Sequence, residues 1–139
     1  MLYGEYRHTI DAKGRLFIPS KLRAHLGEEF VISRGFDKCV CIYPTEEWEI
    51  FCTKIEELSV AKDRRIRHFF FSGACDGNTD SQGRVTIPNN YRDYASLDRE
   101  VVIIGNRTHL EIWSLSAWEE ELSRINPDDI TDELIKLGF

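Results

Sequence analysis

One thirteen-residue pattern occurs twice in this chain, and it limits the folds that the chain can adopt. The segment DAKGRLFIPSKLR spans residues 11–23, and DSQGRVTIPNNYR spans residues 80–92. Asp, Gly, Arg, Ile, Pro and a final Arg recur at the same positions, whereas most residues between them differ. A repeat at a fixed offset indicates that one structural unit has been duplicated. The sequence therefore predicts two similar halves in tandem.

The similarity extends beyond the two segments. Gly4 matches Gly73 at the same offset of 69 residues, and Gly35 matches Gly105 at an offset of 70. The single inserted residue lies between these pairs. The correspondence covers most of each half, which favours duplication of a whole fold unit over repetition of a short motif.

Each half reads as a β-hairpin, a short helix, two further strands and a closing helix. Gly14 supplies the positive φ of a tight turn, and Pro19 ends the second strand and starts the helix. The predicted fold class is α+β, with two tandem barrel-like units (ββαββ plus helix) related by internal duplication. We expect the first unit at residues 1–58, a linker helix at 59–70, the second unit at 71–126 and a C-terminal helical tail at 127–139.

The Asp and the first Arg of the motif lie four residues apart around the glycine turn. This spacing places Asp11 opposite Arg15, where the carboxylate can accept backbone N–H groups and pair with the guanidinium. An exposed ion pair contributes only about 0–1 kcal/mol, so pairing explains the Asp better than the Arg. An Arg held at a hairpin tip is suited to gripping phosphate or reading guanine. The residues expected to shape the hairpins are Asp11, Gly14 and Pro19 in the first copy and Asp80, Gly83 and Pro88 in the second.

Charge is divided unevenly between the halves. The net charge is −6, but residues 1–70 carry 12 Lys/Arg against 11 Asp/Glu, whereas residues 71–139 carry 6 against 13. A polyanion would therefore meet the first half. The second copy has Asp76, Gln82 and Asn90 where the first has Arg7, Lys13 and Lys21. The predicted DNA-binding residues are Arg7, Lys13, Arg15, Lys21, Arg23 and Arg84, with the first hairpin as the main contact.

A further basic run lies between the halves, at Arg64, Arg65 and Arg67. Such a run could contact a nucleic-acid backbone. It is more typical of a solvated face or of a segment paired with acidic neighbours. Its role is left open.

Motifs for catalysis or for cofactor binding are absent from the sequence. There is no Walker loop, no dinucleotide fingerprint and no nucleophile elbow, and the four histidines are scattered. We expect no enzymatic activity, no cofactor and no small-molecule substrate. Cys39 and Cys41 would share one face of a strand, and a metal site there is possible. Because no second Cys or His pair lies at ligand spacing, core packing is the favoured interpretation and no metal is expected.

No apolar run approaches the roughly 18 residues of a membrane helix. The N-terminal segment lacks the basic and apolar regions of a signal peptide. We therefore expect a cytoplasmic protein without a membrane partner, and free thiols in place of disulfides.

The doubled motif, the opening Met-Leu-x-Gly-x-Tyr and the chain length closely resemble the MraZ family of bacterial transcriptional regulators. The resemblance covers nearly the whole chain, and each half resembles an AbrB/SpoVT-like unit. It implies a nucleoid-associated, sequence-specific DNA-binding protein that represses the division and cell-wall gene cluster encoding it. It further implies ring-shaped homo-oligomers whose hairpins bind direct repeats in double-stranded promoter DNA. The family motif falls on Asp11 and Arg15, and on Asp80 and Arg84.

Two alternatives remain open. The chain could be an AbrB-like antitoxin or protein-interaction module with the same fold, or, more distantly, an enzyme or metalloprotein that uses its Cys and Asp residues. For the subunit contacts of an oligomer, the sequence suggests three apolar positions, Leu16, Phe17 and Phe36, on the assumption that they are exposed.

Overall fold

The computed structural model describes residues 1–59 and 64–139. The strands in these residues are β1 (Leu2–Thr9), β2 (Arg15–Phe17), β3 (Glu29–Arg34), β4 (Val40–Pro44), β5 (Ala74–Asn78), β6 (Arg84–Thr86), β7 (Glu100–Arg107) and β8 (Leu110–Ser114). The helices are α1 (Ser20–Leu26), α2 (Thr45–Ser59), α3 (Arg64–Arg67), α4 (Asn89–Tyr94), α5 (Leu115–Ser123) and α6 (Pro127–Lys136). A 3₁₀ turn occupies Phe36–Lys38, and a π-helical turn at His68–Ser72 follows α3 directly. The predicted α+β class is confirmed.

Six of these strands form one antiparallel sheet in the order β1-β7-β8-β4-β3-β5, and β2 pairs with β6 in a separate two-stranded ladder. Strands β1, β3 and β4 of the first half correspond to β5, β7 and β8 of the second half. When each strand is exchanged with its counterpart, the order of the strands in the sheet is reversed and the neighbours stay the same. Duplication of one unit would produce this approximate two-fold relation. The assignment of each half to the AbrB/SpoVT superfamily stays a prediction.

The two halves are interlaced within the sheet. Strand β1 of the first half pairs with β7 of the second, and β5 of the second half pairs with β3 of the first. Strands β4 and β8 join the halves at the centre. The predicted boundaries at residues 58, 70 and 126 stay predictions. Of the predicted linker helix, positions 60–63 lie outside the described residues, and the chain is helical again from Arg64.

The strand register corrects one detail of the repeat. Gly4 pairs with Gly105 across β1 and β7, whereas its counterpart Gly73 lies against Arg34, whose N–H donates to the Gly73 carbonyl at 3.3 Å. Arg34, and not Gly35, therefore takes the structural place of Gly105. The offset in these strands is 71 residues, and the glycine match in the sequence is coincidental.

Two apolar clusters are formed by residues of the described ranges, 1–59 and 64–139. The larger one contains aliphatic residues from the sheet, the β2–β6 ladder, α1 and α4, including Leu16, Ile18 and Ile87, which have no exposed surface. The smaller one is rich in aromatic residues and contains Tyr43, Trp48 and Trp113. The expectation that Leu16 is exposed was wrong, because β2 turns Leu16 inward and leaves its neighbour Phe17 outward, with 39% of its surface exposed.

The short helices begin and end where the sequence signals predict. Pro19 precedes α1 with φ −50° and ψ 140°, and Pro88 precedes α4 with φ −59° and ψ 154°. Gly27 ends α1 at a φ of 90°, a conformation that glycine adopts without strain. Ser114 caps α5 by accepting the N–H of Ala117 at 3.2 Å.

Helix α6 extends from the body of the protein, and every residue from 127 to 139 is exposed. Asn126 caps it by accepting the N–H of Asp128 at 2.9 Å. Within the residues that the structure describes, none of the helices has both the length and the apolarity needed to cross a membrane.

Candidate nucleic-acid interface

The first hairpin is held together by one carboxylate. Asp11 Oδ1 accepts the backbone N–H groups of Lys13 at 3.0 Å and Arg15 at 2.8 Å, while Oδ2 accepts Nε of Arg15 at 2.7 Å. The backbone closes the same turn, since the Gly14 N–H donates to the Asp11 carbonyl at 2.9 Å. Asp11 thus fixes both the turn and the direction of the Arg15 side chain.

The second hairpin repeats this geometry. Asp80 accepts the N–H groups of Gln82 and Arg84, each at 2.9 Å, and also Nε of Arg84 at 2.9 Å. Hydrogen bonds from the backbone N–H of Arg84 lower the pKa of Asp80, and the equivalent bond from Arg15 lowers that of Asp11. Burial opposes both shifts but is the weaker effect. Both aspartates are therefore held in the charged form that the braces require.

The two hairpins meet in the β2–β6 ladder. Arg15 lies opposite Thr86 and Phe17 lies opposite Arg84, with Leu16 and Val85 between them. Alternate residues of a strand point to opposite faces, and Leu16 and Val85 are buried. We call the other side, with Arg15, Phe17, Arg84 and Thr86, the outward face. Both motif arginines lie on it.

The turns are also joined across the two halves. The Ile18 N–H donates to the Gly83 carbonyl at 2.9 Å, and the Ile87 N–H donates to the Gly14 carbonyl at 2.8 Å. Gly14 and Gly83 have φ angles of 79° and 78°, in the left-handed region that favours glycine. Each turn therefore depends on the end of the strand from the other half.

The last Arg of each motif has a structural role that the sequence did not reveal. Arg23 Nε donates to the Ile18 carbonyl at 2.8 Å, and Arg92 Nε donates to the Ile87 carbonyl at 3.0 Å. Arg23 lies against Gly83 of the second hairpin, and Arg92 lies against Gly14 of the first. The recurrence of this Arg in both copies was the available signal. Its role as a DNA contact, predicted for Arg23, stays a prediction.

The other predicted contacts lie around the outward face in different ways. Lys13 is exposed at the first turn, and Lys21 is exposed on α1. Arg7 is exposed on β1, at the edge of the large sheet. Whether these side chains bind DNA stays a prediction. Of the basic run near residue 65, Arg67 lies over the Phe71 ring at 5.1 Å, so this arginine has a packing role.

A group of potential metal ligands lies elsewhere, in the aromatic cluster. The ligand atoms of Cys39, Cys41 and Glu111 all lie within 4.8 Å of one another. The sequence analysis considered the two thiols but missed Glu111, which pairs with Cys41 across β4 and β8. Only strand pairing between the halves brings it there, so no local pattern could have found it.

Glu111 is already engaged by side-chain donors. Its carboxylate accepts Nε2 of His109 at 3.1 Å, Nδ2 of Asn106 at 2.8 Å and Nε1 of Trp113 at 2.9 Å. Burial alone would raise the pKa of Glu111, but these hydrogen bonds together lower it. The pKa of the Cys41 thiol is raised by its hydrogen bond with Cys39 and by burial. The raised pKa keeps the Cys41 thiol neutral beside a carboxylate that already accepts three hydrogen bonds, which fits a packing role.

The fold and the site together define a class of protein. It is an internally repeated α+β protein in which two Asp-braced hairpins present their arginines on one shared face. A family model described as "MraZ protein, putative antitoxin-like" matches residues 1–68 and 70–136. The chain belongs to the MraZ family.

Curated relatives agree with this assignment along their whole length. A protein of Lachnoclostridium phytofermentans named "Transcriptional regulator MraZ" is 44% identical, over 100% of this chain and 99% of its own. A protein of Caldicellulosiruptor bescii with the same name is 43% identical over 100% of both chains. A third, from Natranaerobius thermophilus, is 41% identical over 97% of both. The resemblance inferred from the doubled motif is therefore confirmed.

Proposed function

We propose that the chain is a sequence-specific DNA-binding transcriptional regulator that represses the division and cell-wall gene cluster. In this proposal it binds promoter direct repeats through its hairpins as a ring-shaped homo-oligomer, in the cytoplasm and on the nucleoid. The observation that carries the proposal is the outward face, on which Arg15 and Arg84 are both fixed by an aspartate. The names of the relatives support a role in transcription.

The braces suit this role because they leave most of each guanidinium available. The hydrogen bond to Asp11 engages Nε of Arg15, and the bond to Asp80 engages Nε of Arg84. An Arg side chain has five N–H donors, so the donors of the terminal amino groups remain for phosphate or for guanine O6 and N7. Fixing the side chain beforehand reduces the entropy lost on binding.

The net charge of −6 is compatible with DNA binding only if the basic residues act locally. Lys13 and Lys21 are exposed around the first hairpin, whereas the second hairpin has the uncharged residues Gln82 and Asn90 at the equivalent positions. Several such hairpins in one oligomer would gain affinity through effective concentration. Binding should then weaken steeply as the salt concentration rises.

The direct test is a gel-shift and footprinting experiment with the DNA upstream of the gene. Arg15→Ala should weaken the complex by about tenfold or more, as expected for a base-contacting arginine. Arg124→Ala is a matched control, because Arg124 follows the last residue of α5 and pairs with Glu120 on that helix, outside the outward face. If Arg15→Ala and Lys13→Ala both bind like the unmodified protein, the hairpin proposal fails.

Two observations favour a second candidate function. The matching family model carries the description antitoxin-like, and the second half is strongly acidic, which would suit a basic protein partner. In that case the chain would bind a protein through the acidic residues of its second half, and the outward face would not bind DNA. Failure to detect any salt-sensitive complex with the upstream DNA would favour this alternative.

A further inference from the structure

Of the four residues that define the outward face, Phe17 is the apolar one. It lies directly opposite Arg84 in the β2–β6 ladder and two residues after Arg15 on β2. Its ring is exposed, although burial of an aromatic ring is favourable. An exposed ring between two arginines that are proposed to bind DNA indicates an apolar group on the DNA as its partner.

The Phe17 ring is held in place from two directions. The His8 ring lies beside it, with the two ring centroids 5.8 Å apart. The Arg23 guanidinium lies over it, with Cζ 5.5 Å from the ring centroid, a distance at which a cation and an aromatic face attract each other. Arg23 is itself fixed, because its Nε donates to the Ile18 carbonyl at 2.8 Å. These contacts position the ring and leave the rest of its surface open to solvent.

The matching place in the second half holds small residues. At the offset of 69 residues, Gly77 corresponds to His8 and Thr86 corresponds to Phe17. A pocket of about 440 Å³ lies there, lined in part by Gly77 and Thr86. The outward face is therefore symmetric in its two braced arginines and asymmetric in the residues beside them.

One of the four bases presents an apolar group in the major groove of DNA. The C5-methyl group of thymine lies there, in the same groove as the guanine O6 and N7 atoms that arginine reads, and phenylalanine is among the side chains that contact this methyl group. A ring placed against the polar edge of another base would leave that edge without a hydrogen bond, which is costly. A ring beside an arginine thus favours thymine and disfavours the other bases.

We infer that Phe17 is a specificity-determining residue that contacts the C5-methyl group of a thymine in the bound DNA. The inference rests on the proposed function, since it requires the outward face to lie in the major groove. Residues directly opposite each other in an antiparallel ladder have Cα atoms about 4.5–5.5 Å apart, and successive bases of one strand are about 3.4 Å apart along the helix. The thymine therefore lies within about two base pairs of the group that Arg84 contacts.

The asymmetry of the face gives the bound protein a direction on the DNA. Two hairpins related by an approximate two-fold axis would read a palindromic site equally well in either orientation. If the chain were turned round, Thr86 would meet the thymine in place of Phe17, and this shorter side chain would cover less of the methyl group. A site with one such contact has a direction, as the direct repeats proposed for this chain do.

Two other roles for Phe17 would give different experimental results. If the ring serves only to support Arg23, its removal should weaken DNA binding to the same degree whichever base is present. If the ring lies between copies of the chain, its removal should change the mass of the protein in solution. Neither role makes DNA binding depend on one methyl group.

The test combines a protein variant with the removal of single methyl groups from the DNA. The upstream DNA is footprinted with the full chain, and each thymine of the protected region is then replaced singly by uracil, which pairs in the same way and lacks only the C5-methyl group. For the unmodified protein, uracil at one position of the site should lower the affinity by about fourfold, as expected for the loss of one buried methyl group. For Phe17→Ala the same replacement should have no effect.

Phe139→Ala is the matched control, because Phe139 is also an exposed phenylalanine and lies beyond the end of α6. It should respond to uracil like the unmodified protein. Phe17→Gln keeps a side chain of similar length but makes it polar, and it carries the test if Phe17→Ala does not fold. The inference is overturned if no replacement by uracil distinguishes the unmodified protein from the Phe17 variants, or if these variants change the mass measured by light scattering.

The same measurements separate this inference from the DNA-binding proposal. If Arg15→Ala weakens the complex while uracil is tolerated at every position, the proposed DNA contact stands and the inference about Phe17 fails. If no salt-sensitive complex forms with the upstream DNA, both fail together.

Discussion

Arg23 of the first motif closes over Gly83 of the second: a Cβ built on Gly83 would lie 2.7 Å from Cζ of Arg23. Arg92 lies over Gly14 in the same way, where a Cβ would lie 2.9 Å from Nε of Arg92 and 2.8 Å from the Ile87 carbonyl oxygen. Each half thus supplies the side chain that covers the turn of the other. The repeated Gly is required twice over, by the left-handed backbone and by the arginine above it.

Gly14→Ala should therefore lower the free energy of unfolding by about 2 kcal/mol or more, since a left-handed alanine alone costs about 1–2 kcal/mol and the contacts add to it. The measurement is urea denaturation followed by circular dichroism. Gly138→Ala is the matched control, because Gly138 has a φ of 92° but nothing within 4 Å of its added Cβ. Equal effects of the two substitutions would show that the arginine contact contributes nothing.

The aspartate braces should make stability depend on pH. The pKa of Asp11 and that of Asp80 are lower in the folded protein, so their stabilisation is present above the unfolded pKa of about 3.9. It is lost as the pH falls through the folded values. We expect the melting temperature of the unmodified protein to exceed that of Asp11→Asn/Asp80→Asn at neutral pH. The difference should shrink in acid, and a constant difference from neutral pH to pH of about 3 would contradict this account.

Salt titrations should distinguish the two hairpins. Lys13→Ala should reduce the slope of log affinity against log salt by about 1 for each first hairpin that contacts DNA. Gln82→Ala, at the equivalent position of the second hairpin, should leave the slope unchanged because it removes no cation. A change of equal size in both variants would mean that the slope reports something other than phosphate contacts.

The half-buried carboxylate of Glu111 should matter for stability even though it is not part of the outward face. Glu111→Gln replaces an acceptor of three hydrogen bonds by a group that must also donate, and should destabilise the protein by about 1–3 kcal/mol. Tryptophan fluorescence, to which Trp113 contributes beside Glu111, can follow unfolding in urea. Glu119→Gln, at an exposed position of α5, should have almost no effect.

Local signals in the sequence were sufficient for the hairpins. The Asp-x-x-Gly-Arg spacing predicted the brace between Asp11 and Arg15, and Gly27 and Pro19 predicted the limits of α1, because all of these contacts are made within a few residues. The family was predictable for the same reason, since the doubled motif is itself local.

Contacts between the halves could not be predicted in this way. The pairing of Cys41 with Glu111, the burial of Leu16 and the position of Arg92 over Gly14 all depend on how the two repeats associate. Strand register is set by tertiary packing, and a shift of one residue reverses which side chains are buried. The coincidental match of Gly35 with Gly105 shows how sequence alignment alone can misplace a strand by one residue.

The interlaced sheet has a consequence for how the protein came to be and how it can be divided. Because β1 and β5 each cross to the other half, the chain is in effect a dimer whose two members share one backbone. A single half would leave its first strand without a neighbour, but two separate half-length chains could rebuild the same sheet between them. The covalent link raises their mutual concentration to the millimolar range or higher. It also allows the two edges to diverge, which no dimer of identical chains can do.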